Sequence, residues 1–396
     1  MSLNLTPSSL RTHIAFFGLR NAGKSSVVNA VTNQELSVVS NVLGTTTDPV
    51  SKAMELNPIG PVVIIDTPGI DDEGELGLLR VKKAKQVLTK TDIAVIVVDC
   101  IKGISEYDKE LIELFKQRQI PYLIAYNKCD LLETIPQASQ NEIYISALKN
   151  ISIYEFKDKL ASLIQNKDNQ KTLLADIVEE DDLVILVIPI DKGAPAGRLI
   201  LPQQQTIRAL LEVNAKILVS TLQQLPNTFN VLKQNPKLVI TDSQVFNQVS
   251  KIVPEDIMLT SFSILFARYK GNLKDNLLAA YTLDELDDGD IILISEGCTH
   301  HRQCEDIGTV KLPKWILEYT KKDIHFEFTS GIHYPEDLSK YKLVIHCGGC
   351  MLNEKEMQHR IQYTKQCSIP ISNYGMIIAH INGILKRSLE PFNIIS

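Results

Sequence analysis

The sequence predicts an α/β protein of three domains, built on mostly parallel sheets with helices on their faces. Three observations predict it. Short apolar runs rich in β-branched residues alternate with amphipathic stretches along the chain, which is the pattern of parallel strands joined by helical crossovers. At about 100–200 residues per domain, a chain of 396 residues makes two or three domains, and its 44% of hydrophobic residues is enough for real cores. A wholly polar break, QNKDNQK at 165–171, sets a first α/β stretch apart from the rest.

In the first stretch, 1–168, residues 13–17, 62–65, 93–98 and 122–126 read as strands, and 79–88 and 107–117 as amphipathic helices. The second, 169–270, offers strands at 183–190, 237–240 and 256–260 and helices at 203–213 and 243–252. Its run 183–190 is apolar enough to pair with a second copy across a twofold axis, or to lie inside the core of a monomer. The third, 271–396, carries strands at 291–295 and 343–346 on either side of a helix containing Trp315. No fixed-period repeat shows in the sequence.

Composition excludes several classes of function. Lys and Arg number 41 against 47 Asp and Glu, a net charge of −6, which argues against a basic nucleic-acid binder. The apolar runs fall far short of the roughly 18 residues of a membrane span. The first residues lack the basic-then-apolar order of a secretion signal, so a soluble, cytoplasmic protein is expected. Seven cysteines in a long chain do not suit a secreted disulfide framework. They suit a reducing compartment, where thiols stay free or bind metal.

Gly18-Leu-Arg-Asn-Ala-Gly23-Lys24-Ser25 follows the first strand and precedes a helical run, so it matches G-x-x-x-x-G-K-S in pattern and in context. Gly18 and Gly23 let successive amides, those of Asn21 and Ala22 among them, turn toward a phosphate chain. The helix start at Lys24, Ser25 and Ser26 adds its positive dipole end. Lys24 reaches the β- and γ-phosphates and Ser25 ligates Mg²⁺. Asp66-Thr-Pro-Gly69 follows the second strand; Asp66 is placed to hold Mg²⁺ through water, and the Gly69 amide to sense the γ-phosphate. Asn127-Lys128-Cys129-Asp130 resembles the guanine-reading N/T-K-x-D element. Its carboxylate accepts from both the ring N–H and the exocyclic amine of guanine, a donor pair that adenine lacks. Ser146-Ala147-Leu148 resembles the loop that backs the base. Four such elements in order, each at a strand end, predict a P-loop GTPase fold that binds GTP and GDP.

Gly44-Thr-Thr46-Thr47-Asp48 resembles the G-T-T-R-D switch of Era-like and tRNA-modification GTPases, with Thr47 in place of Arg. Thr46 then aligns with the Mg²⁺-binding threonine. Ile70 stands where Ras-type enzymes carry a water-orienting Gln, so hydrolysis needs another stabiliser of transition-state charge. Asn21 sits where potassium-activated relatives place a K⁺ ligand; its other reading is a loop turn. The acidic run 71–75 reads as a solvated switch face.

Five of the seven cysteines follow residue 297. Cys298-Thr-His300 and His346-Cys347-Gly-Gly-Cys350 each follow a strand, so loops at two strand ends of one open sheet can converge on a metal. Three cysteines with one histidine suit a closed zinc site. Three cysteines alone leave one iron of a cube without a thiolate, with His300, His346 or Glu305 as the fourth ligand and His301 a poorer fit. Cys304 and Cys367 lack the strand-end setting, and Cys100 and Cys129 read as packing residues.

GTPase motifs joined to Cys-x-His and His-Cys-x-x-Cys, with 45 residues between His300 and His346, resemble the [FeFe]-hydrogenase maturation GTPases, the HydF family. The stretches 189–202, 260–271 and 371–376 resemble it too. The resemblance implies a GTPase domain at 1–168, a dimerisation domain at 169–270 and a [4Fe–4S]-binding domain at 271–396, the cluster on Cys298, Cys347 and Cys350. It implies a homodimeric scaffold that receives a di-iron precursor with CO and CN⁻ ligands from two radical-SAM enzymes and delivers it to apo-[FeFe]-hydrogenase. From the acidic balance and the short apolar runs, no nucleic acid or membrane partner is expected. The alternative from residues alone is a zinc-stabilised GTPase of RNA modification or ribosome assembly, which the acidic balance and single Trp disfavour.

Overall fold

The computed structural model describes residues 6–33, 49–69, 84, 86–165, 172–190, 199–271, 273–297, 306–331 and 333–394. The chain forms two compact units, 1–170 and 171–396.

The first unit is an α/β layer structure. Its elements are β1 (Thr12–Phe17), α1 (Lys24–Thr32), β2 (Val50–Leu56), β3 (Gly60–Asp66), β4 (Ile93–Asp99), α2 (Glu106–Gln117), β5 (Tyr122–Asn127), β6 (Glu142–Tyr144) and α3 (Ile153–Gln165). The strands lie in the order β2-β3-β1-β4-β5-β6, and only β2 is antiparallel to its neighbour. Side chains alternate across this sheet, as the strand period requires. Ile14 and Phe16 of β1 pack with Val27, Val28, Phe156 and Leu160 on one face, whereas Ala15 and Phe17 pack with Leu111 and Phe115 on the other. Ser105 and Asp108 close a capping box at the start of α2, which fixes where that helix begins. The expected helix 79–88 and the break 165–171 fall mostly outside the described residues.

The second unit holds two four-stranded parallel sheets. The first contains β7 (Leu183–Val187), α4 (Leu201–Glu212), β8 (Lys216–Ser220), α5 (Leu225–Val231), β9 (Leu238–Thr241), a 3₁₀ turn at Ser243–Val245, α6 (Phe246–Ile252), β10 (Met258–Ser261) and α7 (Phe262–Lys270). After α8 (Leu273–Ala280), the second contains β11 (Ile291–Glu296), a π turn at Ile307–Lys311, α9 (Leu312–Thr320), β12 (His325–Ser330), β13 (Leu343–His346), α10 (Glu354–Gln366), β14 (Ile371–Asn373), α11 (Tyr374–Ile381) and α12 (Leu385–Leu389).

The sheet orders are β10-β9-β7-β8 and β14-β13-β11-β12, so one topology occurs twice although the sequence shows no periodic repeat. The likeness survives in Lys237-Leu-Val-Ile against Lys342-Leu-Val-Ile at the third strand of each sheet, and in the caps of α7 and α11, where Ser261 and Asn373 accept from the amides of Ile264 and Met376. The two sheets share one apolar core, with Ile185, Val239, Ile292, Ile294 and Ile345 in the same cluster as Ile264 and Ile377.

The strand expected at 183–190 is β7, and it is not an edge. It pairs with β8 on one side and β9 on the other, so its apolar character serves the core, and pairing of this strand across a twofold axis is ruled out. The edges are β10, whose side chains are mostly buried, and β8, where Val219 is 53% exposed.

Candidate functional site

In the first unit the nucleotide motifs meet at the C-terminal ends of β1, β3, β4 and β5. Gly18 has φ +137°, and a Cβ there would lie 2.2 Å from the Val97 carbonyl oxygen, so only glycine lets the loop cross β4 this closely. Gly23 has φ +88°, and its Cβ would meet the Asn127 amide nitrogen at 2.3 Å. Asn21 between them also takes a left-handed φ of 61°. From the first turn of α1, the buried Lys24 Nζ donates to the carbonyls of Gly18 and Leu19 at 2.9 and 3.0 Å, curling back over its own loop. A Cβ on Gly69 would lie 3.1 Å from that Nζ, which brings the Asp66–Gly69 turn against the same loop.

Ser25 Oγ donates to Asp66 Oδ2 at 2.9 Å, while the buried Asp66 Oδ1 has no hydrogen-bond partner. A hydroxyl beside a buried carboxylate with an unsatisfied oxygen fits a hydrated Mg²⁺, and Ser25 and Asp66 are the residues that would hold it.

Asn127 ties three loops together: its Nδ2 donates to the Ala22 carbonyl at 3.0 Å, and its Oδ1 accepts from the Ala147 amide at 3.1 Å. Lys128 Nζ reaches the Asn21 carbonyl at 2.9 Å and pairs with Asp99 at 2.6 Å. Asp99, at the end of β4, is a site residue that motif reading missed, because its only signal is a strand-end carboxylate next to Cys100. The Ser146 hydroxyl, with Lys149 3.6 Å away, holds the Asp130 carboxyl below the usual range, so it is ready as an anionic acceptor. Ser146 is fully buried, whereas Leu148 is 85% exposed. Cys129 is buried and the Cys100 thiol donates to the Lys128 carbonyl, in keeping with packing roles. Ala22 is buried and Ser26 half-buried in the first turn of α1. Thr46 lies outside the described residues.

The cysteine loop is at the C-terminal end of β13 in the second unit. Cys347 Sγ accepts from the amides of Gly297 and Gly349 at 3.1 and 3.4 Å, so the residue preceding Cys298 in the chain sits against the Cys347 sulfur. Burial pushes the Cys347 thiol up to about 11, with the neighbouring Cys350 adding to the effect and the two amides opposing it. Lys270, the last residue of α7, enters the same loop, and its Nζ donates to the carbonyls of Gly349 and Leu352.

His346 is fully buried, and both its ring nitrogens are engaged. Nε2 accepts from Arg360 at 3.2 Å, so Nδ1 carries the proton and donates to the Cys347 carbonyl at 2.8 Å. Burial first, and the Arg360 charge second, hold the ring neutral, down to about 3. Arg360 itself pairs with Glu356 at 2.9 Å. Sequence reading missed Lys270, Glu296, Arg360 and Tyr374, which surround the loop. Tyr374 donates to Glu296 at 3.2 Å, and a Cβ on Gly308 would collide with both. Cys367 packs among Met357, Ile361 and Ile371, away from a strand end.

Cys298, His300, His301, Cys304 and Glu305 lie outside the described residues, and among the described residues no three His, Cys, Asp or Glu side chains come together to hold a metal. The donor chemistry nevertheless fits an iron–sulfur cluster. Two amides aimed at one cysteine sulfur, and a buried ammonium beside the second cysteine, are partners that stabilise metal-bound thiolates. Cys347 and Cys350 would hold the cluster with Cys298. Among the described residues no helix is long and apolar enough to cross a membrane.

The sheet and its strand-end motifs define the first unit as a P-loop GTPase domain, a class that binds GTP and GDP with Mg²⁺. It resembles those of Era and MnmE, and a family model described as 50S ribosome-binding GTPase matches residues 13–128. The remainder matches two further models, the hydrogen maturase F dimerization domain at 173–271 and the hydrogen maturase F tetramerization domain at 275–391. The chain belongs to the hydrogen maturase F family. Among curated relatives, GTPase Der of Maridesulfovibrio salexigens is 38% identical over 141 residues, covering 34% of this chain and 31% of that protein. The tRNA modification GTPase MnmE of Clostridioides difficile is 30% identical over 177 residues, covering 42% of this chain and 38% of that protein. The chain thus spans about a third of the length of these relatives, in matches of 31% and 38%. A solved structure of Era with MgGDPNP and a segment of 16S ribosomal RNA is 19% identical, covering 53% of this chain and 91% of that one at a TM-score of 0.34.

Proposed function

We propose that the chain is a cytoplasmic GTP-hydrolysing scaffold that assembles or delivers the di-iron precursor of [FeFe]-hydrogenase on a [4Fe–4S] cluster. The observation that carries this reading is the Cys347 sulfur at a strand end, accepting two backbone amides, one of them from the residue before Cys298. Hydrogen bonds of this kind stabilise cluster thiolates and tune their iron. Cys298, Cys347 and Cys350 bind three irons and leave the fourth open to an exchangeable ligand. The engagement of both His346 nitrogens favours a loop-fixing role for that residue, which leaves His300 and Glu305 as candidates for the open iron. The precursor, with its CO and CN⁻ ligands, comes from two radical-SAM enzymes and passes to apo-hydrogenase.

In the GTPase domain, 1–168, Lys24 and the amides of the Gly18–Ser26 loop hold the phosphates. Ser25, Thr46 and Asp66 hold Mg²⁺, Gly69 senses the γ-phosphate, and Asn127, Lys128 and Asp130 read guanine with Ser146, Ala147 and Leu148 behind the base. Asn21, left-handed at the top of the loop, contributes to a K⁺ site that replaces an arginine finger, and hydrolysis is slow, as suits a switch on partner binding. Residues 169–270 form the homodimer contact and 271–396 the cluster domain. The exposed edge β8 supports a twofold contact at that strand.

Transfer to apo-hydrogenase tests the reading. Wild-type protein loaded by the two radical-SAM enzymes should confer hydrogen evolution on apo-hydrogenase, and Cys347→Ser should not. Equal activation by the variant would remove the cluster from the account.

A further inference from the structure

We infer that Lys270 is a built-in counter-charge for the cluster, setting its reduction potential and its retention; the inference rests on the cluster reading above. The side chain crosses from the end of α7 into the cysteine loop and is 2% exposed. Its Nζ donates to the Gly349 carbonyl at 2.9 Å and the Leu352 carbonyl at 2.8 Å, and lies 3.5 Å from that of Cys350. Those three carbonyls use the three N–H groups of an ammonium. None of them is an anion, and among the described residues no carboxylate forms an ion pair with Nζ.

A buried cation with no directly paired counter-ion is strongly disfavoured. The groups whose negative charge acts on it are Cys350 and Cys347 first, and the Glu354 carboxylate, which does not pair with it, after them. Three thiolates outweigh the positive core of a cluster, and reduction adds one more negative charge. Lys270 therefore stabilises the bound cluster, and its reduced form more than its oxidised form.

The repeated topology supplies an internal control. Counted from the caps Ser261 and Asn373, Lys270 of α7 corresponds to Asn382 just after α11. Counted from β9 and β13, Cys347 and Cys350 correspond to Asp242 and Val245. Helix α11 packs against the Ser243–Val245 turn, as α7 reaches the cysteine loop. In the copy without cysteines the position corresponding to Lys270 carries no ammonium: Asn382 Nδ2 turns back to the Ile378 carbonyl at 2.7 Å, and the ammonium that does reach that loop, Lys311 Nζ, comes from a different element and donates to the Gln244 side chain at 3.1 Å. At this helix-end position the lysine occurs only in the copy that carries the thiols.

The test uses full-length protein reconstituted anaerobically with iron and sulfide. The midpoint potential is read by electron paramagnetic resonance during dithionite titration, and cluster loss by the rate of iron release to a chelator. Lys270→Met should shift the potential to more negative values and weaken iron retention by roughly 10–100-fold, as for other partners of metal ligands. Lys270→Arg, which keeps the charge, should stay close to wild type in potential. An unchanged potential in Lys270→Met, with or without faster iron loss, would overturn the inference and reduce the lysine to a loop tether. A negative shift in Lys270→Arg equal to that in Lys270→Met would overturn it too. Wild-type protein that takes up no iron would instead overturn the cluster reading itself.

Discussion

Lys24 stands where the account of the nucleotide site is most exposed to test. Its ammonium lies over the carbonyls of Gly18 and Leu19, poised to exchange them for phosphate oxygens. Lys24→Ala should abolish GTP turnover while leaving iron and sulfide content at the wild-type level, because the cysteine loop belongs to the other compact unit. Loss of the cluster in this variant would contradict that separation. Asn21 is tested in the same assay. Hydrolysis by wild-type protein should be several-fold faster in K⁺ than in Na⁺, as expected when a monovalent cation stands in for an arginine finger. Equal rates would reduce Asn21 to a loop turn. At neighbouring positions the chemistry is steric: Gly18 and Gly23 are required by the Val97 carbonyl and the Asn127 amide that a side chain would strike.

Among the elements, β8 carries the most direct prediction. It is an edge strand with Val219 exposed, and unpaired backbone at such an edge is a template for pairing. If the proposed twofold contact lies at this edge, Val219→Lys should convert the proposed homodimer to monomer in analytical ultracentrifugation with unit melting behaviour unchanged. A dimer that persists would move the twofold contact elsewhere. The central strands β1, β4, β5, β7, β11 and β13 were legible in the sequence because parallel strands buried on both faces read as unbroken apolar runs. β6 and β14, three residues each, carry too little pattern to be read. β8 and β12 are half-exposed edges whose polar residues mask the period. The motif residues of the nucleotide site were legible because phosphate chemistry demands fixed spacing. Asp99, Lys270 and Arg360 were not, since each acts on a residue far away in the chain, and only the fold brings them together.

At the scale of the whole molecule, the chain is built as two compact units. The first carries the strand-end motifs of a GTPase domain. The second builds one topology twice around a shared core and places cysteines in only one of the two copies. Whether this second unit holds iron and sulfide, as proposed, is decided by the chain's metal content after anaerobic purification. A cluster on Cys298, Cys347 and Cys350 should make the protein brown, with about four iron and four sulfide per chain and no stoichiometric zinc. A colourless protein with one zinc per chain and no iron would contradict it.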